Sequence, residues 1–356
     1  MPTFSAAALT DLVQRICVAG GSSPEEATQV AEQLVTANLY GHDSHGIGMV
    51  PAYVNSLIDG KLTPNQEIEV VSDRGAYLLV DGHWAYGQIC APKAMELGIA
   101  KAKEMGIAVV ALRNAHHIGR VGAWGEMCAA AGFVSIHYVN VTSGHIVAPW
   151  GGSDARLSTN PYVTAFPGTA NNPPIILDMA TSKVAMGKVR VAYNKGVEVD
   201  ANTLIDAEGR ETRDPRVMFN EDGPKGALMA AGLHKGYGLA LACEMLAGAF
   251  ATGGTNLPDR SPRPTITNNM LTIILDPEMF GPRADFEREI DDFTAWVKAS
   301  PPAPGVERVM VPGEPEQKSK ADRLANGIPV DDQTWQEMLE ASAKVGLNRS
   351  DVEQMA

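Results

Sequence analysis

From residue 76 onward, the chain alternates between short apolar runs with the pattern of strands and longer runs with the spacing of helices. In order, these are a strand at 76–80, a helix at about 92–105, a strand at 107–112, a helix near 121–131 and a strand at 133–139. Such alternation is typical of an α/β sheet that carries helices on both faces. We therefore predict an α/β core over residues 76–284.

The two ends of the chain have helical patterns instead. Ser23 is followed by proline and then by Glu26, which predicts a helix start with a capping box. The residues behind them form one apolar face at Ala27, Val30, Leu34 and Ala37. A further helix is predicted near 333–345. We expect residues 1–75 and the tail, residues 285–356, to pack together as a smaller helical region.

Composition and charge exclude several classes of protein. Across 356 residues the formal net charge is −13, and Lys and Arg form no basic run that could follow a nucleic-acid backbone. No apolar run reaches the ~18 residues of a membrane helix. The four cysteines form no CxxC pair and lie far apart, at Cys17, Cys90, Cys128 and Cys243. We predict a cytoplasmic protein with reduced, mostly buried cysteines and no nucleic-acid or membrane partner.

Two adjacent histidines stand out in the segment NAHHIGR, at 114–120. His116 and His117 follow a strand pattern and precede a helix pattern, which is where open α/β sheets bind ligands. Imidazole has an ordinary pKa near neutrality, so it can give a proton to a reacting oxygen and take it back. This segment is therefore the first candidate for an active site.

Two more segments place polar residues where a strand ends or a helix begins. In DMATS, at 178–182, a strand pattern at 174–177 runs into a helix pattern at 181–189, and HKGYG, at 234–238, opens another helix pattern. Backbone N–H groups at helix starts bind phosphate and carboxylate groups. Five cations lie in or just after the three segments: Arg120, Lys183, Lys188, Arg190 and Lys235. An anionic ligand is therefore predicted.

These residues also have interpretations without chemistry. His116 and His117 are compatible with capping of backbone groups, and Asp178 with N-capping of the helix that follows. His42 and His45, in the segment HDSH, are compatible with a solvated surface after a helix end. A metal site built from the four histidines matches no standard ligand spacing, and we predict no metal.

The dinucleotide fingerprint GxGxxG is absent from the sequence. In the nearest matches, Gly46-Ile-Gly48 is followed by Met, Val and Pro, and Gly236-Tyr-Gly238 lacks the third glycine. A standard Rossmann site is therefore not supported. A nicotinamide cofactor would have to bind in another way.

In their order along the chain, the motifs resemble the malate/L-lactate dehydrogenase family that lacks this fingerprint, the group that contains ureidoglycolate dehydrogenase, sulfolactate dehydrogenase and piperideine-carboxylate reductase. The resemblance covers nearly the whole chain. Its landmarks are Asp43-Ser44-His45-Gly46, His117-Ile118-Gly119, Val147-Ala148-Pro149, Gly151-Gly152, Thr159-Asn160-Pro161, DMATS followed by Gly187-Lys188, Lys235-Gly236-Tyr237-Gly238, and Pro312-Gly313-Glu314.

The resemblance implies a non-Rossmann three-layer α/β fold of the sulfolactate dehydrogenase type, a homodimer, and NAD or NADP as cofactor. By position, Ser44, His45 and Asp178 match a proposed proton relay, whereas His117 matches the proton acceptor of ureidoglycolate dehydrogenase. The acid/base role thus stays divided between two histidines. The cofactor-binding residues implied are His45, Gly119, Arg120, Val121, Ile176, Leu177, Asp178, Met179, Ala180, His234, Lys235, Asn269, Val311, Pro312, Gly313 and Glu314.

The chain departs from the family pattern in the substrate region. Many members have arginines four and seven residues after the histidine of the SHG motif, where this chain has Met49 and Ala52. A methionine favours a larger or aryl 2-oxo acid over malate, because a flexible thioether packs against rings. Ser158 also replaces a glycine that is usual before Thr159. We predict as substrate-binding residues Met49, Arg120 and Asn160.

The sequence therefore predicts an NAD(P)H-dependent oxidoreductase that interconverts 2-oxo and 2-hydroxy acids. Two alternatives stay open. One is a malate/lactate-type or imino-acid reductase of the same family, and the other is a metal-dependent lyase or hydrolase.

Overall fold

A mixed seven-stranded sheet lies at the centre of the molecule. The computed structural model describes residues 2–142, 144–220, 223–258 and 265–353. The strands in these ranges are β1 (Thr3–Phe4), β2 (Glu69–Arg74), β3 (Tyr77–Asp81), β4 (Ile107–His116), β5 (Val134–Val141), β6 (Tyr162–Phe166), β7 (Ile175–Met179), β8 (Leu204–Ile205), β9 (Glu211–Thr212), β10 (Ala227–Leu228), β11 (Thr267–Leu275) and β12 (Ile328–Pro329). The large sheet has the order β2-β3-β4-β11-β5-β6-β7.

The direction of the strands differs from that of a sheet built from repeated strand–helix–strand units. β3 and β4 run parallel, but the other neighbouring pairs of the large sheet are antiparallel. β11 comes from late in the chain and inserts between β4 and β5, antiparallel to both. The predicted α/β class is confirmed, whereas strands that follow each other in sequence are not always neighbours.

Helices cover both faces of this sheet. They are α1 (Ala6–Ala19), α2 (Pro24–Leu39), α3 (Val50–Ile58), α4 (Gly87–Met105), α5 (Gly122–Ala130), α6 (Met186–Lys195), α7 (His234–Cys243), α8 (Arg283–Lys298), α9 (Glu314–Asn326), α10 (Asp332–Lys344) and α11 (Arg349–Glu353). On β5, His137 lies beside Gly125 of α5, while Asn140 points the other way, to Glu244. Glu244 opens a π-helical continuation of α7, Glu244–Phe250. The three layers are therefore α4 and α5, the sheet, and α7 with its π-helix.

The first and last helices share a core of their own. Leu12 of α1, Leu34 of α2, Tyr53 of α3 and Met338 of α10 are buried in one apolar cluster. Beside it, β1 pairs with β12. The division at residues 75 and 285 stays a prediction. The contacts of β2, which is a strand of the large sheet, and of α8, which hydrogen-bonds through Arg283 to Gly132 O at 3.1 Å, favour placing both with the core.

Several predicted elements have different bounds. The helix predicted at 181–189 begins at Met186, because the residues before it are held in a turn. There the hydroxyl of Thr181 donates to Thr159 O, and that of Ser182 donates to Val184 O, both at 2.9 Å. The strand predicted at 107–112 extends to His116, so that this histidine lies in β4 itself.

The structure also shows the state of the four cysteines and the character of the helices. Cys17, Cys90, Cys128 and Cys243 are buried and free, as predicted. Burial raises the pKa of each thiol to about 12. Within the described residues, no helix combines the length and the apolar character needed to cross a bilayer.

Candidate active site

Two histidines from different parts of the fold stack against each other. His45 ends the 3-10 turn Asp43–His45 that follows α2, and His117 follows β4. Their ring centroids are 5.5 Å apart and the ring planes differ by 21°. The hydroxyl of Ser44 lies 3.0 Å from Nδ1 of His45. The helical region and the α/β core thus meet at this pair.

The turn that carries His45 is fixed by Asn38 of α2. The side-chain oxygen of Asn38 accepts from the backbone N–H of Ile47 at 2.8 Å, and its amide donates to Asp43 at 2.7 Å. A Cβ at Gly46 would collide with the Asn38 side chain, so a glycine is required there by close approach. Arg323 of α9 pairs with Asp43 from the other side at 2.5 Å.

His117 is held by two residues that the sequence patterns did not single out. The hydroxyl of Tyr53, on α3, lies 2.7 Å from Nδ1 of His117. The side-chain amide of Gln88, on α4, donates to the same hydroxyl at 2.7 Å. Both residues are buried on helices, where the sequence gives no signal that separates them from ordinary core residues.

Asp178, at the end of β7, is bound to the start of α5. The backbone N–H of Gly122 donates to Oδ2 of Asp178 at 2.9 Å. Arg120 lies 3.8 Å from the same oxygen, pairs with Glu126 at 2.6 Å, and covers the ring of Tyr40 at 4.5 Å. The guanidinium of Arg120 is therefore already engaged by two carboxylates inside the protein.

Burial keeps both stacked rings neutral at pH 7. It lowers the pKa of His45 to about 4, against the charge of Asp178, which acts in the opposite direction. It lowers the pKa of His117 well below the ordinary value, and the neighbouring rings of His45 and His116 lower it further. The carboxylate of Asp178 thus raises the pKa of His45, whereas it is not among the causes that shift the pKa of His117.

The other predicted segments approach the same region. A Cβ at Gly187, at the start of α6, would lie 3.6 Å from Cβ of Ser44. Thr181 of the DMATS segment donates to Asn160 O at 3.0 Å and accepts from the backbone N–H of Ala231 at 2.8 Å, just before α7. The DMATS turn is thus hydrogen-bonded to Asn160 and to the residue three positions before α7.

A cleft of about 220 Å³ opens beside Asp178. The run 311–314 forms part of its wall, because Pro312 O accepts from the backbone N–H of Ile176 at 3.2 Å. The cleft is lined by the predicted residues Arg120, Ile176, Asp178 and Gly313, and by Tyr40, Glu126, Ala130, Pro174, Glu316 and Gln317, which sequence reasoning missed. Spacing along the chain gave no signal for the second group.

The remaining residues implied by the resemblance are sequence neighbours of those that line the cleft. Leu177, Met179 and Ala180 continue β7 or follow it, and Val121 precedes α5. Val311 donates through its backbone N–H to Glu314 at 2.9 Å.

Some predicted residues are not brought to the histidine pair by any contact in the structure. Asn160 and Asn269 are fully buried, with their amides hydrogen-bonded to Glu244 at 2.8 Å and to Asn140 at 2.9 Å. Met49 packs against the core of the helical region. His234 and Lys235 are exposed at the start of α7. The ring of His234 lies edge-on to that of Trp150, with 6.3 Å between the centroids.

The two other histidines near the site have different surroundings. His42 pairs with Glu316 at 3.6 Å. His116 is buried, with Nε2 3.1 Å from the hydroxyl of Thr265. Within the described residues, no group of three or more His, Cys, Asp and Glu side chains is arranged to hold a metal ion.

Comparison with known proteins gives matches over almost the whole chain. The family model described as malate/L-lactate dehydrogenase matches residues 4–339. Hydroxycarboxylate dehydrogenase B of Escherichia coli (strain K12) is 45% identical over 346 residues, which are 97% of this chain and 94% of that protein. L-lactate dehydrogenase of Cupriavidus necator is 37% identical over 313 residues, 88% of this chain and 89% of that protein.

Solved structures agree with these matches. Sulfolactate dehydrogenase from Methanocaldococcus jannaschii superposes with a TM-score of 0.85 at 33% identity, covering 98% of this chain and 99% of that one. The predicted fold of the sulfolactate dehydrogenase type and the predicted resemblance are both confirmed. The chain belongs to the malate/L-lactate dehydrogenase family.

Proposed function

We propose that the protein is a 2-hydroxy acid dehydrogenase that interconverts 2-oxo and 2-hydroxy acids with a nicotinamide dinucleotide. The observation that carries this proposal is the stacked pair of His45 and His117, with the carboxylate of Asp178 acting on it. Reduction of a carbonyl needs a proton at oxygen, and an imidazolium stabilised by a nearby carboxylate can supply it. Similarity to hydroxycarboxylate and L-lactate dehydrogenases supports the same class of reaction.

The residues of the cleft beside Asp178 suit the ribose part of a dinucleotide. Oε2 of Glu316 is buried there and forms no hydrogen bond with any residue the structure describes. A carboxylate oxygen of this kind accepts well from a ribose hydroxyl. When bound, the dinucleotide supplies the hydride that the carbonyl carbon receives. Arg120, Ile176, Asp178 and Gly313 would hold it along β7.

The charges of the cleft favour NAD over NADP. Glu126, Asp178 and Glu316 line it, and its arginine, Arg120, is paired with two of these carboxylates. An additional phosphate would meet carboxylates without a free cation, whereas a ribose diol finds acceptors. We expect a fluorescence titration to give a lower Kd for NADH than for NADPH. Equal or reversed affinities would contradict this preference.

We assign the proton transfer to His45. The negative charge of Asp178 favours the imidazolium form of this ring, and a substrate carboxylate bound nearby adds to that effect. His117 lies beside two other imidazole rings, those of His45 and His116, and both lower its pKa. His117 therefore serves as a neutral hydrogen-bond donor to the carbonyl oxygen.

The substrate carboxylate needs a cation other than Arg120, whose guanidinium is engaged. Lys188 is exposed in the first turn of α6, next to Gly187, which approaches Ser44. The positive end of the helix adds to its charge. We therefore assign the carboxylate to Lys188, and the larger or aryl part of the 2-oxo acid to the side of Met49.

The test is a spectrophotometric screen of pyruvate, oxaloacetate, 2-oxoglutarate and phenylpyruvate with NADH and NADPH. We expect turnover with at least one of them, a fall in kcat of about 10²- to 10⁴-fold in His45→Ala, and a smaller fall in His117→Ala. His83→Ala is the matched control, because His83 pairs with Glu69 at 2.9 Å on the surface. Wild-type kcat in both site variants contradicts the mechanism. Loss of activity after chelation favours the metal-dependent alternative.

A homodimer is also part of the proposal. Leu241 and Met245 are exposed one helical turn apart, and Phe250 is 65% exposed at the end of the π-helix. Contiguous exposed apolar side chains mark interaction surfaces. Light scattering coupled to gel filtration should give twice the mass of one chain. A single-chain mass at micromolar concentration would contradict it.

A further inference from the structure

Tyr53 connects the helical region directly to a histidine of the site. Its ring is 2% exposed and lies edge-on to His116 at 5.3 Å and to Tyr86 at 5.8 Å. Its hydroxyl is 2.7 Å from Nδ1 of His117. The proposed proton transfer uses neither this hydroxyl nor the amide behind it.

The hydrogen bonds of this hydroxyl decide which way its proton points. The amide of Gln88 donates to the oxygen of Tyr53 at 2.7 Å, and Nδ1 of His117 is the other atom bonded to this hydroxyl among the described residues, so the buried phenol proton finds its acceptor there. An imidazole nitrogen that accepts a hydrogen bond carries no proton. In a neutral ring the proton is then on the other nitrogen, Nε2.

Gln88 is anchored through its backbone. Its backbone oxygen accepts from the side chain of Gln29 at 2.9 Å. Its side chain bonds to the hydroxyl of Tyr53 through Nε2, while Oε1 is buried without a hydrogen-bond partner among the described residues. Next to it, a Cβ at Gly87 would collide with the backbone oxygen of His117. The start of α4 therefore fits tightly against the histidine segment.

We propose that Tyr53 is a positioning residue that fixes His117 as the Nε2–H tautomer, with Nε2 directed to the carbonyl oxygen of the substrate. In the structure, Nε2 of His117 has no hydrogen-bond partner among the described residues. A neutral imidazole N–H polarises a carbonyl without itself becoming charged, and enzymes use it in this way. The contact of Nε2 with the substrate rests on the proposed function, whereas the assignment of the His117 tautomer is independent of it.

The first test is independent of activity. Side-chain ¹⁵N NMR of the protein without cofactor reports which ring nitrogen carries the proton, with the His117 signals assigned by their loss in His117→Asn. We expect an unprotonated Nδ1 in the wild type and a second tautomer, protonated at Nδ1, in Tyr53→Phe. Tyr86→Phe is the matched control, because its ring packs on Tyr53 and its hydroxyl bonds to neither histidine. A protonated Nδ1 in the wild type, or no change in Tyr53→Phe, overturns the proposal.

The second test is kinetic. Tyr53→Phe should lower kcat about 10- to 100-fold, as other residues that orient a functional histidine do, with KM for the 2-oxo acid near its wild-type value. Tyr86→Phe should change neither. If Tyr53→Phe does not fold, Gln88→Met removes the donor to Tyr53 and should lower kcat in the same direction. Wild-type kcat in the folded variants contradicts the positioning role. If the wild type reduces no 2-oxo acid, the proposed function fails, and the NMR result still decides the tautomer.

Discussion

The backbone N–H of Gly122 donates to Oδ2 of Asp178 at 2.9 Å, and a Cβ at Gly122 would lie 2.5 Å from that same oxygen. It would also lie 2.5 Å from Nη1 of Arg120. The close approach thus sets the positions of a carboxylate and a guanidinium at once. Glycine is required here for space, not for an unusual backbone angle.

Gly122→Ala should therefore displace Asp178 and Arg120 without unfolding the protein. We expect kcat/KM to fall about 10- to 100-fold, since small displacements of positioned groups have effects of this size. The melting temperature should change little, because alanine suits a helix start better than glycine. Gly281→Ala is the matched control, since no atom lies within 4 Å of a Cβ there. Wild-type kinetics in Gly122→Ala would contradict the role of this contact.

Lys188→Met should weaken the binding of every 2-oxo acid. A charge-assisted hydrogen bond contributes about 1.5–3 kcal/mol, so KM should rise about 10- to 100-fold, with a smaller effect on kcat. Lys195→Met, at the exposed end of the same helix, is the control and should leave KM unchanged. Steady-state kinetics with two substrates of different size checks the prediction. An unchanged KM in Lys188→Met assigns the carboxylate to another group.

Met49→Arg should move the preference from phenylpyruvate toward oxaloacetate. The new guanidinium can pair with a second substrate carboxylate, and we expect the ratio of the two kcat/KM values to change by about 10-fold or more. Met49→Leu keeps an apolar side chain and should leave the ratio near its wild-type value. Because Met49 packs on the helical core, the stability of both variants is measured in parallel. A wild type that already prefers oxaloacetate would contradict our interpretation of Met49.

The buried histidines should make the protein less stable in mild acid. Burial lowers the pKa of His116 to about 4 and that of His137 to about 3, against 6.5 in the unfolded chain. Between pH 6.5 and 4 the unfolded chain binds protons at these positions that the folded protein does not. The free energy of unfolding should therefore decrease as the pH is lowered from 6.5 to 4, by up to about 1.4 kcal/mol per pH unit for each ring. Above pH 6.5 the rings are neutral in both states, and the folded protein has its full stability.

Urea unfolding between pH 7.5 and 4.5 measures this slope. His137 bonds to the hydroxyls of Ser135 and Thr272 at 2.9 Å, and His137→Gln removes its titration. The variant should show a smaller slope than the wild type, by the contribution of one ring. Equal slopes would mean that the pKa of His137 is not lowered in the folded protein.

Much of the fold could be predicted from local pattern. Ser23 caps α2 as expected, its hydroxyl accepting from the N–H of Glu26 at 3.2 Å, and Gly106 ends α4 with a φ of 77°. The local sequence pattern could not predict that β11 lies between β4 and β5, because the pairing of strands depends on packing across the whole sheet. Glu26 illustrates the same limit: it binds the N–H of Asn65 at 2.8 Å instead of completing a capping box.

The sequence by itself determined the α/β class and the family, and it singled out His45, His117 and Asp178 as candidates for the chemistry. These properties follow from short motifs and from the spacing of apolar residues, which are local. Only the tertiary structure decided that Asp178 acts on His45, that Arg120 is engaged by two carboxylates, and that Tyr53 reaches His117. Contacts of this kind join residues distant in the chain, and their geometry is fixed by how the helices pack on the sheet.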